Sequence, residues 1–188
     1  MSEAIGGPAV DPNMSAVNIE VTAAESLVSG WRAMYDPGAA HGVPAHVTIT
    51  FPFVPAHDLT DAVLDALAEI AANHSAFTFA LTDVREFPGV LWLLPEPEQP
   101  FRHLTRAVLD AFPAFPPFGG LFPDPQPHLT IGRLLPAELH RDLRTELQRC
   151  LAPELPILCR ADALNVMTSD SLGQWSQLAR LPFAHSSS

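Results

Sequence analysis

The sequence predicts an α+β domain built as two similar lobes, and three observations carry that reading. Apolar periodicities of two and of about 3.6 residues alternate along the chain. Each half holds strand, helix and further strand patterns. Each half also places a His-x-Thr triplet at the start of a strand. A length of 188 residues suits one domain, or two small lobes sharing a core.

Taken in order, residues 1–14 are expected to form a flexible tail, followed by one bilobal domain over 15–184 and a second tail at 185–188. Val17 to Thr22 alternates as a half-buried strand does. Ala24 to Tyr35 carries Leu27, Val28, Trp31 and Met34 at helical spacing, and Asp36-Pro37-Gly38 stops it. Ala45 to Phe51 is a β-branched strand, and Thr60 to Asn73 an amphipathic helix. Phe77–Val84 and Val90–Leu94 read as a strand pair around Pro88-Gly89. The second half runs through a helix at Gln99–Phe112, a strand at His128–Leu134, a helix at Pro136–Leu151 and one or two strands within Leu155–Thr168. The Pro- and Phe-rich loop Ala114–Pro127 fits equally a binding loop or lid and a stiffened connector.

Composition narrows the function classes. Net charge is −11 and every one of the ten basic residues is Arg. Tracking a long phosphate backbone calls for a basic stripe, because counterion release supplies most of that affinity. The expected partner is therefore a small nucleotide or a single RNA end, not extended nucleic acid. No apolar run approaches the roughly 20 residues that cross a bilayer, and no secretory pattern opens the chain. Cys150 and Cys159 form no CxxC pair and read as small apolar residues. A cytoplasmic monomer without membrane attachment is the expectation.

The chemistry sits in PAHVTITF and QPHLTIGRL. Residues i and i+2 of a strand share a face, so His46 projects with Thr48 (Thr50 following), and His128 with Thr130. If those strands lie side by side, two imidazoles and two hydroxyls converge on one groove. Displacement at phosphorus needs a base on the attacking oxygen and an acid on the leaving oxygen, and imidazole serves as either near neutrality. Threonine hydroxyls can donate to the non-bridging oxygens. Chance gives roughly 0.4 such triplets in a chain with this His and Thr content, so one alone is weak. The strand-borne copies also share an upstream Pro, an aliphatic middle residue and a following Ile. A third triplet, His103-Leu104-Thr105, lies in a helical pattern where i and i+2 do not share a face.

The pair HVTI and HLTI, with GVPAHVTITFPF, FPGVLWLLPEPEQPFRHLTRAV and PHLTIGRL around it, resembles the 2H phosphoesterase superfamily, in particular its bacterial 2′-5′ RNA ligase-like branch, from about Val17 to Pro182. The resemblance implies two pseudo-twofold lobes of antiparallel sheet with flanking helices around a central cleft. It implies hydrolysis of 2′,3′-cyclic phosphates or of 2′-5′ linkages, with weak reverse ligation, and no metal or other cofactor. Carried over by motif, His46 and His128 become the acid/base pair, and Thr48 and Thr130 the phosphate-binding residues. Which histidine is base and which is acid stays open.

Arg133, where similar chains often carry Arg, points away from His128 by strict alternation and fits a structural ion pair equally well. Phe53, Phe118 and Phe122 are candidates for stacking on a base, with core packing favoured for Trp92. His41 and His46 match no closed zinc-ligand spacing, and no metal site is expected. Two competing readings stand beside RNA-end hydrolysis: a non-catalytic module binding phosphorylated nucleotides or RNA ends, and a two-histidine enzyme for another substrate such as ADP-ribose cyclic phosphate.

Overall fold

The computed structural model describes residues 12–184. The tails expected over 1–11 and 185–188 lie outside the described residues. Asn13 and Met14, also assigned to the first tail, are held: Asn13 N–H donates to the Asp170 carbonyl at 3.3 Å, and Met14 N–H to Ser169 Oγ at 2.9 Å.

The strands are β1 (Ser15–Glu20), β2 (His46–Thr50), β3 (Phe77–Phe87), β4 (Val90–Glu96), β5 (Leu129–Gly132), β6 (Ile157–Ala161), β7 (Ala163–Ser169) and β8 (Trp175–Pro182). The helices are α1 (Thr22–Tyr35), the single turn α2 (Pro37–Ala40), α3 (Asp61–Ala72), α4 (Gln99–Ala111) and α5 (Ala137–Leu151). All eight strands form one antiparallel sheet in the order β6-β3-β4-β5-β2-β1-β7-β8. That order is symmetric about the central β5/β2 pair. One lobe comprises β2, β1, β7 and β8, and the other β5, β4, β3 and β6. The lobes are therefore not the two halves of the chain, because the last two strands return to pair beside β1. The strand β8 is not among the expected elements. Most of its residues are exposed, Ser176, Gln177 and Arg180 among them, as suits an edge.

Helices form where apolar residues recur on one face and bury there. Phe101, Leu104 and Val108 do so on α4, and Leu143, Leu147 and Leu151 on α5. They pack on the sheet face that carries Val17, Ile19, Val47, Ile49, Leu91, Leu93, Leu129 and Ile131, all almost wholly buried. The opposite face of the same strands carries His46, Thr48, His128 and Thr130, which are only partly buried. Gly132 permits the close pass of α1: a Cβ there would stand 3.0 Å from Tyr35 Cβ. No helix among the described residues is long and apolar enough to cross a membrane.

Candidate active site

The strands β2 and β5 meet at the pair Val47–Leu129. In an antiparallel pairing the neighbours on either side follow in opposite directions. His46 therefore faces Thr130 across the junction, and Thr48 faces His128. Directly opposite residues project from the same face, about 5 Å apart at Cβ. The expected convergence of two imidazoles and two hydroxyls thus arises from one register, with a local twofold between the strands.

Each histidine is fixed in the same way. Nδ1 of His46 lies 2.8 Å from the carbonyl of Pro44, and Nδ1 of His128 lies 2.7 Å from that of Gln126. A carbonyl only accepts, so both Nδ1 atoms carry the proton and both Nε2 atoms keep a lone pair when the ring is neutral. Burial pushes His46 down from the usual 6.5 to about 4. The bond to Pro44 opposes this, the charges of Arg32 and His128 add to it, and Asp36 counteracts them. Burial also lowers His128, against the bond to Gln126. Two neutral imidazoles with bare Nε2 atoms are the resting state near pH 7.

A buried ionic brace holds the approach to His46. Arg32, 1% exposed, donates to Asp36 at 2.8 Å and to the Val43 carbonyl at 3.1 Å. Asp36 also accepts from Gly38 N–H at 3.0 Å and from Arg133 Nε at 3.0 Å. Glu25 accepts from Ala45 N–H at 2.7 Å. Residues 43 to 45 are thus tied down immediately before the strand that carries His46. This places Arg133 in an ion pair with Asp36, the structural role that strand alternation allowed.

Aromatic residues enclose His128. Phe87 and Trp92 meet it edge-on at centroid distances of 5.3 and 5.7 Å, and Phe118 lies nearly parallel to it at 6.3 Å. Phe118 N–H donates to the Phe51 carbonyl at 2.6 Å, and Thr50 Oγ1 to that of Phe115 at 3.3 Å. The long loop is thereby anchored to the strand that bears His46. Thr50 is spent on that anchor and does not join the open face. Phe122 is 52% exposed, edge-on to Phe118 at 5.9 Å, and remains available to a ligand. Phe53 is not available: it is 3% exposed and packed against Phe112 and Phe115 at 5.1 and 5.9 Å. Its candidacy as a stacking residue is corrected, since burying the ring among two others outweighs leaving it in the cleft.

His103 is exposed on α4, an ordinary helix residue as its periodicity implied. His41 Nδ1 bonds the Pro37 carbonyl at 2.7 Å. Among the described residues no three His, Cys, Asp or Glu side chains are grouped to hold a metal. Sequence reasoning passed over Asn18 and Asn165. Asn18 holds a polar position of the alternating VNIEVT, so nothing local marks it.

Comparison with known proteins identifies the family and matches the fold. Residues 20–172 match the 2′-5′ RNA ligase superfamily, and the chain belongs to that family of two-histidine phosphoesterases. Among solved structures, E. coli LigT complexed with NADP+ superposes with a TM-score of 0.57 at 18% identity, covering 93% of this chain and 99% of LigT. The Thermus thermophilus protein TT0787 superposes with a TM-score of 0.58 at 14% identity, covering 93% of this chain and all of the other. At these identities the likeness speaks for the fold. No curated protein matches the chain.

Proposed function

We propose that the chain is a phosphodiesterase that opens 2′,3′-cyclic phosphates, or cleaves 2′-5′ linkages, of nucleotides or RNA ends by metal-independent two-histidine catalysis. The observation that carries this reading is the register that sets His46 against Thr130 and Thr48 against His128, with both Nδ1 protons held by carbonyls. A phosphoryl group centred between the strands has one Nε2 on each side of it. One neutral imidazole takes a proton from the attacking water as its oxygen bonds to phosphorus. The other, protonated, gives its proton to the departing ribose oxygen as the P–O bond breaks. The Thr48 and Thr130 hydroxyls donate to the non-bridging oxygens. The ligand class fits the solved relatives: LigT has been crystallised with 3′-AMP, with ATP and with NADP+. At net charge −11 the surface favours a small ligand over a long polyanion.

The deciding experiment is hydrolysis of the four nucleoside 2′,3′-cyclic monophosphates in EDTA, comparing wild type with the His46→Ala/His128→Ala double variant. Turnover that vanishes in the variant supports the reading, and the product isomer names the scissile bond. Saturable binding of these nucleotides without turnover would replace it with the binding-module reading.

A further inference from the structure

Directly opposite residues of neighbouring strands share a face, so register extends the catalytic face outward from Thr48. Asn18 lies opposite Thr48, Asn165 opposite Asn18, and Arg180 opposite Asn165. Asn18 and Asn165 are 2% and 4% exposed, yet neither side-chain oxygen receives a hydrogen bond. A buried acceptor without a donor is a standing cost to the fold and calls for a reason. Of the five such buried side-chain atoms among the described residues, three belong to this face: these two oxygens and the indole nitrogen of Trp92, which lies opposite Thr130. The twofold between the lobes puts Asn18 and Trp92 in equivalent places, each beside a motif threonine. The two sides differ in sense, an acceptor beside Thr48 and a donor beside Thr130.

The outer end of the row also has room for a ligand. Asn165 and Arg180 line a groove of about 900 Å³, together with Glu20, and with Glu96 and Arg160 from the other lobe. Strand spacing sets Asn18 about 5 Å and Asn165 about 10 Å from Thr48, the reach of a nucleoside from its own phosphate. Phosphate oxygens accept and cannot satisfy a carboxamide oxygen. Sugar hydroxyls and base amines can. We propose that Asn18 and Asn165 form the subsite that reads the hydrogen-bond donors of the substrate's nucleoside while its phosphate rests on Thr48 and Thr130. This rests on the phosphate-binding part of the function proposed above, and not on turnover.

Calorimetric titration tests it with adenosine 3′-monophosphate, purine riboside 3′-monophosphate (which lacks the base amine) and inorganic phosphate. The proteins are wild type, Asn18→Leu and Asn165→Leu, with melting temperatures measured on the ligand-free forms. Leucine keeps the shape of Asn and removes the orphan acceptor, so the ligand-free melting temperature should hold or rise. Nucleotide affinity should fall tenfold or more in each variant, with phosphate affinity unchanged. A loss confined to the adenosine nucleotide assigns the base amine, and an equal loss for both nucleotides assigns the ribose hydroxyls. Unchanged nucleotide affinity overturns the proposal, as does a parallel loss of phosphate affinity with a lowered melting temperature. Wild type that binds nucleotide no better than phosphate overturns it too. Where a leucine variant does not fold, the Ser variant is read by the same criteria. Absence of turnover on cyclic phosphates, with this binding pattern intact, would sink the enzymatic reading and leave the subsite standing.

Discussion

Val47 pairs directly with Leu129 where the two lobes join, and this one contact between apolar residues aligns the four polar side chains on the opposite face. Both residues are fully buried, so a slip of one residue would move the apolar set out of the core and the histidines into it. The register of the site is in this way enforced by the core beneath it.

Removing either imidazole from that face tests the chemistry most directly. His46→Ala and His128→Ala should each lower kcat by about 10²–10⁴, the usual worth of a positioned acid or base. The double variant should lose little beyond the worse single one, because the two groups act as a unit. Steady-state kinetics on a cyclic phosphate checks this, and wild-type-like rates in both single variants would refute the assignment.

The threonines should behave differently from the histidines. Thr48→Val and Thr130→Val keep β-branching and strand fit while removing a donor to the phosphoryl oxygens. Each is expected to cost about 10²–10³ in kcat, with the pH profile unmoved. A shifted profile would mean that the hydroxyls act on the imidazoles instead of on the substrate.

Much of this arrangement is legible in the sequence, and the remainder is not for identifiable reasons. Alternation within a strand is local, so the pairing of His46 with Thr48 and of His128 with Thr130 can be read from the two short motifs themselves. Register between strands is not local. The row from Thr48 through Asn18 to Asn165 joins three strands far apart in the chain, and no pattern in the sequence announces it. Phe53 misled for the same reason. It sits just beyond the strand that carries His46, but its neighbours Phe112 and Phe115 come from the far end of α4 and the loop after it. Arg133 could be placed, because strict alternation already turned it away from His128.

The direction of both imidazole shifts fixes where activity should lie on the pH scale. Catalysis needs one ring neutral and one protonated. In the free protein His46 is held near 4 and His128 is below its usual 6.5, both by burial first. The bell for kcat/KM should therefore lie below about 6.5, with the limb that His46 sets near 4. Bound phosphate favours the imidazolium form, so the kcat profile should extend to higher pH. A kcat/KM maximum above pH 7.5 would contradict the burial argument.

Stability should follow the same groups. A histidine whose folded pKa is depressed takes up a proton more readily when unfolded, so the unfolded chain binds more protons between about 4 and 6.5. His46 therefore imposes no penalty above pH 6.5 and a growing one as pH falls towards 4. Melting temperature should drop over that window, and His46→Gln should flatten the slope. An unchanged slope would show that His46 is solvated in the folded protein.

The brace under His46 offers a final and separable test. Asp36→Asn leaves the Arg32 guanidinium buried without its counter-charge and frees Arg133 as well. Breaking a buried pair from one side typically costs about 3–5 kcal/mol, and chemical denaturation should show a loss of that order. Asp36 also raises the pKa of His46, so its neutralisation should move the limb of kcat/KM set by His46 to lower pH. Exchanging both partners, Arg32→Met with Asp36→Asn, removes the uncompensated charge and should recover much of the stability. It should also bring the limb set by His46 back towards its original position, because the lost raising charge of Asp36 and the lost lowering charge of Arg32 offset each other. A single variant that is destabilised with no movement of the His46 limb would confine the brace to a structural role.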